Sequence, residues 1–190
     1  LEKYHGTDVF VTEALTREAI HALDSRDQRK PFFLYMAHYA VHIPINKDKR
    51  YYQKYLDKGM DPIEAAYAGL IEGMDKSLGD LMNYLEENKL ADNTIIIFMS
   101  DNGGLSAAGT GRGGDANTHN LPLKSGKGSA YEGGIREPMI VLWPGTTKKE
   151  SVCEDYLIIE DFYPTILEMA QVKRVKTVQP VDGKSFIPLL

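Results

Sequence analysis

Three sets of side chains in this sequence have types and spacing suited to handling an anionic ester. Asp101 and Asn102 end an apolar run, Ile95 to Met99, and are followed by Gly103 and Gly104. Both offer hard oxygen donors of the kind that Ca²⁺ or Mg²⁺ takes. The glycines let the backbone turn sharply and approach a ligand closely. The same four residues are also good turn chemistry, and a plain turn explains them as well in isolation. His38 and His42 fall just past a second apolar run, residues 32–37. A histidine there serves either as a hydrogen-bonded surface group or as a site residue, and both readings stay open. Lys127 lies between Gly126 and Gly128. It is not part of a phosphate-binding P-loop, because the spacing G-x-x-x-x-G-K-[ST] is absent. A hard cation, an imidazole and an ammonium around one pocket would hold a sulfate or phosphate ester, withdraw charge from it and stabilise its leaving oxygen.

The elements that must position these groups can be read from periodicity. The run 95–99 is short and β-branched, which predicts a strand buried on both faces, as in the middle of a parallel sheet. Ligands of open α/β sheets collect where strands end at their carboxyl side, where Asp101 stands. Residues 32–37 and 139–143 predict two further strands. Residues 12–26 carry Leu15, Ala19, Ala22 and Leu23 at helical spacing. Asp61-Pro62-Ile63-Glu64 announces a helix: an N-cap, a proline at the first position and a capping-box glutamate. Tyr67, Leu70, Met74, Leu78, Leu81 and Leu85 form its apolar stripe. Residues 156–170 predict another helix, with Pro164 in its first turn. Residues 46–59 read as a solvated short helix or loop. Helix and strand in alternation give an α/β class, a mostly parallel sheet flanked by helices. No linker divides the chain.

Composition narrows the function classes. The chain has 190 residues, 43% hydrophobic and 26% charged, an ordinary globular profile. A net charge of −5 without a long basic run argues against nucleic acid as a partner. The single cysteine, Cys153, allows no internal disulfide. No stretch is long and apolar enough to read as a membrane span. The start, Leu1-Glu2-Lys3-Tyr4, is neither a methionine nor a signal peptide, so an excised portion of something longer is expected.

In order, the segments PFFLYMAHYAVHIP, YAGLIEGMDKSLGDLMNYLEENKLADNTIIIFMSDNGG, LPLKSGKGSAYEGGIREPMIVLWPG and VDGKSFIPLL, with EDFYPTILEMA as a fifth, resemble the sulfatase family of the alkaline-phosphatase superfamily. The likeness runs from about residue 12 onward. It implies a sulfatase-like α/β fold, incomplete at both ends, with the chain forming part of the catalytic domain. It implies that Asp101 and Asn102 hold Ca²⁺ (or Mg²⁺). Lys127 is implied to bind sulfate, and His42 to contact sulfate or the leaving oxygen. Lys127 and His42 are thereby the catalytic pair. His38 lies outside the match and is expected in structure or substrate binding. Tyr131, Glu132 and Arg136 are expected to support the site, Glu132 and Arg136 as an ion pair.

The family's nucleophile is a formylglycine made from the Cys or Ser of a Cys/Ser-x-Pro-x-Arg motif. That motif does not occur here, and Cys153 stands in a different context. The nucleophile and the further acidic metal ligands are therefore expected in an upstream segment, with this chain inactive alone. The implied parent is a sulfuric ester hydrolase acting on a sulfated small molecule or glycan, periplasmic, secreted or lysosomal. Two other readings remain: a phosphonate or phosphodiester hydrolase of the same superfamily, and a non-catalytic module that binds anionic glycans. Residues 104–120 and Tyr51, Tyr52 and Tyr55 are where sugar contacts are expected.

Overall fold

A computed structural model describes residues 1–105, 120–173 and 176–190. The chain forms two compact units, one of Leu1–Asp92 with Met99–Pro138, the other of Asn93–Phe98 with Met139–Leu190.

The first unit is built on two helices, α1 (Val11–Asp24) and α3 (Pro62–Glu87), with the short α2 (Tyr52–Leu56) packed on α3. α3 starts where the sequence predicts. The Asp61 carboxylate accepts from the backbone N–H of Ile63 at 2.8 Å and of Glu64 at 3.4 Å, and Pro62 opens the first turn. Its apolar stripe supplies only three of the nine buried residues of α3. Leu70, Leu81 and Leu85 are buried, at roughly 1.5–3 kcal/mol each. Ala65, Ala66, Gly69, Gly73 and Ser77 are buried as well, and they let neighbouring segments come close. A β-carbon on Gly73 would lie 3.2 Å from Asp48 Oδ2, and one on Gly69 would lie 3.5 Å from the Tyr52 backbone nitrogen. α1 answers with Ala14, Ala19 and Leu23. Two polar bonds join the helices: Thr16 Oγ1 to Ser77 Oγ at 2.6 Å, and Tyr84 Oη to Asp24 Oδ1 at 2.7 Å.

The first unit also holds a buried acid that sequence reading passed over. Asp48 is 1% exposed. It accepts from Arg50 Nε at 3.0 Å, Nη2 at 2.7 Å and the Arg50 backbone N–H at 3.1 Å. Arg50 Nη1 continues to Glu13 Oε2 on α1 at 2.9 Å, and the hydrogen bond to Asp48 holds the guanidinium further toward its charged form. The tyrosines of this region lie half-buried beside cations. Lys47 sits 4.7 Å from the Tyr52 ring, Arg50 5.0 Å from Tyr51 and Lys54 5.0 Å from Tyr55.

The second unit contains β2 (Met139–Leu142), paired with β1 (Ile96–Met99), and α5 (Phe162–Met169), which a 3₁₀ turn at Ile159–Asp161 leads into. The helix is shorter than the expected 156–170, starting only at Phe162, and Pro164 lies in its first turn. Asp161 accepts from the backbone N–H of Ile158 at 3.1 Å and of Lys184 at 2.8 Å, which holds its carboxyl below the usual range. Buried Thr165 donates to Asp161 O at 2.6 Å and accepts from the Phe186 N–H at 3.0 Å. The tail thus lies on α5, with Phe186 edge-on to Phe162 at 5.3 Å.

The α/β class holds, with differences in the strands. Among the described residues the sheet has two strands, β1 beside β2. β1 is half-buried and its last residue, Met99, is exposed, while β2 alternates between half-buried and exposed positions. Residues 32–37 form no strand, and Phe33 and Tyr35 are 73% and 81% exposed. Burial on both faces requires ladder partners and covering layers on each side. An apolar run supplies the potential for this but not the partners. Among the described residues no helix is long and apolar enough to cross a membrane.

Candidate active site

Among the described residues, backbone contacts and the side chain of Asn120 assemble the centre of the candidate site. Past β1 the chain runs through Asp101 to Gly104 and meets two later segments. The Gly103 N–H donates to Gly134 O at 3.2 Å, the Lys127 N–H to Gly104 O at 3.0 Å, and the Gly133 N–H to Lys124 O at 2.9 Å. Asn120 clamps the same point: its Oδ1 accepts from the Gly104 N–H at 3.1 Å, and its Nδ2 donates to Gly104 O at 2.9 Å and Ser125 O at 3.0 Å. The contacts leave no space for a β-carbon. One on Gly103 would lie 1.8 Å from Gly133 O, one on Gly133 2.2 Å from Ser125 O, and one on Gly134 2.3 Å from Ser129 O.

This knot brings Asp101, Asn102, Lys127, Tyr131, Glu132 and Arg136 onto adjoining segments. Lys127 is exposed and makes no ion pair among the described residues. Nearby Lys124 is engaged instead, with its Nζ 3.9 Å from the centre of the Tyr131 ring. Glu132 and Arg136 form the expected ion pair at 3.3 Å along the four-residue helix α4 (Glu132–Ile135). Both ends are exposed, so its contribution is small. Asp101 is exposed and Asn102 half-buried. Asn102 Oδ1 is buried with no hydrogen-bond partner among the described residues, and so is Glu137 Oε1. Burial pushes the Glu137 carboxyl up, and the charge of Asp101 adds to that.

The histidines lie elsewhere in the same unit. His42 is exposed, its N–H bonded to Tyr39 O at 2.9 Å and its ring 5.8 Å from that of Tyr39. Its Nδ1 donates to the carbonyl of Ile43 at 2.7 Å, which leaves Nε2 as the nitrogen able to meet a ligand. The loop contains cis peptide bonds at Ala40-Val41 and Ile43-Pro44. No described hydrogen bond or ion pair links His42 to the knot.

His38 points to the helix pair. Its Nε2 lies 3.4 Å from Ser77 Oγ. Thr16 Oγ1 donates to Thr12 O at 2.8 Å, so Ser77 must give its proton to Thr16 and accept from His38. That places the His38 proton on Nε2 and leaves Nδ1 buried and without a partner among the described residues. Burial lowers the affinity of this ring for a second proton. The folded state therefore binds that proton less readily than the unfolded chain. Its stability is full above the ordinary histidine range, about pH 6.5, and falls as pH drops through the lowered value. Thermal melting from pH 8 to 5 should show this decline, and His38→Gln should flatten it. An unchanged profile in the variant would remove His38 as the cause.

The oxygen chemistry of the strand end fits a hard cation. Among the described residues no three His, Cys, Asp or Glu side chains converge to hold one. What is offered is a partial shell: the Asp101 carboxylate and the orphaned amide oxygen of Asn102, a buried acceptor that only a cation or a donor can satisfy. Glu137, which stands in the same Arg136-Glu137-Pro138 segment, was missed by motif reading because no spacing signals burial. Arg112, Asp115 and His119 of the long loop lie outside the described residues, as does most of the span 104–120. Cys153 is exposed, with Asp155 Oδ2 3.7 Å from its sulfur.

The family model described as Sulfatase matches residues 4–172. The chain belongs to the sulfatase family. It is 36% identical to a sulfatase of Formosa agariphila, over 97% of this chain and 34% of that protein. It is 32% identical to arylsulfatase J of Mus musculus, over 94% of this chain and 28% of that protein. Among solved structures it is similar to Ps i-CgsB in complex with k-i-k-neocarrahexaose, at TM-score 0.83 and 34% identity, covering 97% of this chain and 40% of that one. The chain thus spans about a third of the curated relatives it matches.

Proposed function

We propose that this chain is the part of a sulfatase catalytic domain that supplies one side of a Ca²⁺ site and the cationic grip on the sulfate group of a sulfated glycan. The observation that carries this is the glycine knot, which sets the loop of Lys127 against the strand end bearing Asp101 and Asn102. Asp101 and Asn102 would hold the cation by their oxygen atoms. Bound there, Ca²⁺ supplies Lewis-acid polarisation, and the formylglycine expected upstream supplies the nucleophile. Lys127, unpaired by any described acid, offsets charge on the sulfate oxygens. His42, its Nδ1–H held by Ile43 O, presents Nε2 to the ester or leaving oxygen. A location outside the cytoplasm follows from the family reading. The chain alone, without a Cys/Ser-x-Pro-x-Arg motif, is expected to turn over no ester.

The test is hydrolysis by the full-length protein of sulfate esters and of phosphate diesters at equal concentration. The expected result is faster sulfate release, lost with a calcium chelator, restored by Ca²⁺ and absent in Asp101→Asn. Faster phosphodiester cleavage would replace this reading with the phosphoryl one. Calcium-independent glycan binding with no hydrolysis would replace it with a binding module.

A further inference from the structure

Glu137 takes part in neither the proposed cation grip nor the sulfate grip. Its Oε1 is buried and bonded to nothing among the described residues, in the segment that the Gly103-to-Gly134 bond lays alongside Asp101–Gly104. Arg136, its neighbour, is turned to Glu132 and does not neutralise it. A half-buried carboxylate with one oxygen shut off from water and no cation or donor is disfavoured as the anion, and a second acid close by adds to that. Asp101 is such an acid, on the strand end that the Gly103-to-Gly134 bond ties to this segment, and its charge adds to the upward push on the Glu137 carboxyl. The orphaned Asn102 Oδ1 belongs to the same strand end. Two acceptor oxygens without donors and two acids of like sign gain together from one positive charge.

We infer that Glu137 is a positioning residue of the cation site, whose half-buried carboxylate strengthens the hold of Asp101 and Asn102 on a divalent cation. This rests on the proposed cation site and adds to it an acid that reaches the cation through its field. A field from a partly buried group is weakly screened, so its effect persists at physiological salt.

The experiment is calcium titration by calorimetry of the full-length protein, with Glu137→Gln and Asp101→Asn in parallel and apo melting temperatures for each. Glu137→Gln keeps shape and removes charge. The expected result is an affinity for Ca²⁺ about 10-fold weaker in Glu137→Gln, the lower end seen for outer-layer partners of metal ligands. The stabilisation conferred by a fixed Ca²⁺ concentration should shrink accordingly. Glu137→Gln with unchanged affinity, beside Asp101→Asn with lost binding, would overturn this inference and leave the cation site intact. A lower apo melting temperature with unchanged affinity would make Glu137 a structural acid and also overturn it. Unchanged binding in both variants would overturn the cation site itself.

Discussion

Lys127→Ala lowers kcat/KM of the full-length protein on a sulfate ester by about 10²–10³-fold, the loss typical of removing one group that stabilises a developing oxyanion. The expectation comes from contrast within one loop. Lys124 spends its ammonium on the ring of Tyr131, whereas Lys127 is exposed and has no acidic partner among the described residues. Its backbone is tied to Gly104, two residues beyond Asn102, so the cation rides on a braced segment. Initial rates across substrate concentrations check this. Lys124→Ala serves as the comparison and should lose far less. A loss in Lys127→Ala confined to KM would assign the ammonium to ground-state binding, and equal losses in both variants would reduce it to general loop charge.

Asp48→Ala destabilises the first unit by about 3–5 kcal/mol, the range for removing one partner of a buried ion pair. The acid is 1% exposed and saturated by three donors of Arg50. Removing it strands a guanidinium that is one-third exposed, with only Glu13 left to meet it. It also opens a void against Gly73, whose lack of a side chain exists to admit that carboxylate. Denaturant midpoints measure the change. Lys49→Ala, which breaks the exposed pair with Asp8, should leave the midpoint where it was. Equal midpoints for wild type and Asp48→Ala would show that the network holds geometry without holding stability.

Local signals in the sequence locate the helices well. The Asp61-Pro62 start of α3 is visible because capping is chemistry between near neighbours. The Glu132–Arg136 pair is visible for the same reason, lying one helical turn apart. The small-residue face of α3 was not legible, since Ala66, Gly73 and Ser77 carry little hydrophobic signal and acquire meaning only from what approaches them. Asp48 and Glu137 stayed hidden because burial of an acid depends on distant segments. Residues 32–37 show the opposite case, where strong local β character meets no partner among the described residues. At the candidate site, residue types alone single out Asp101, Asn102 and Lys127 as candidates. The means of their assembly, an amide clamp at Asn120 and contacts between glycine backbones, is invisible to any motif.

The knot of Gly103, Gly133 and Gly134 has a consequence for how this protein can change over generations. Among the described residues its joints are bonds between peptide groups, with the side chain of Asn120 bonded to Gly104. Substitutions at the joints are barred outright, because even alanine collides with a carbonyl. Substitutions at the exposed positions between them, Lys124, Tyr131 and their neighbours, leave the joints untouched. Heritable variation is thereby channelled: the joints stay fixed while the outward residues are free to change.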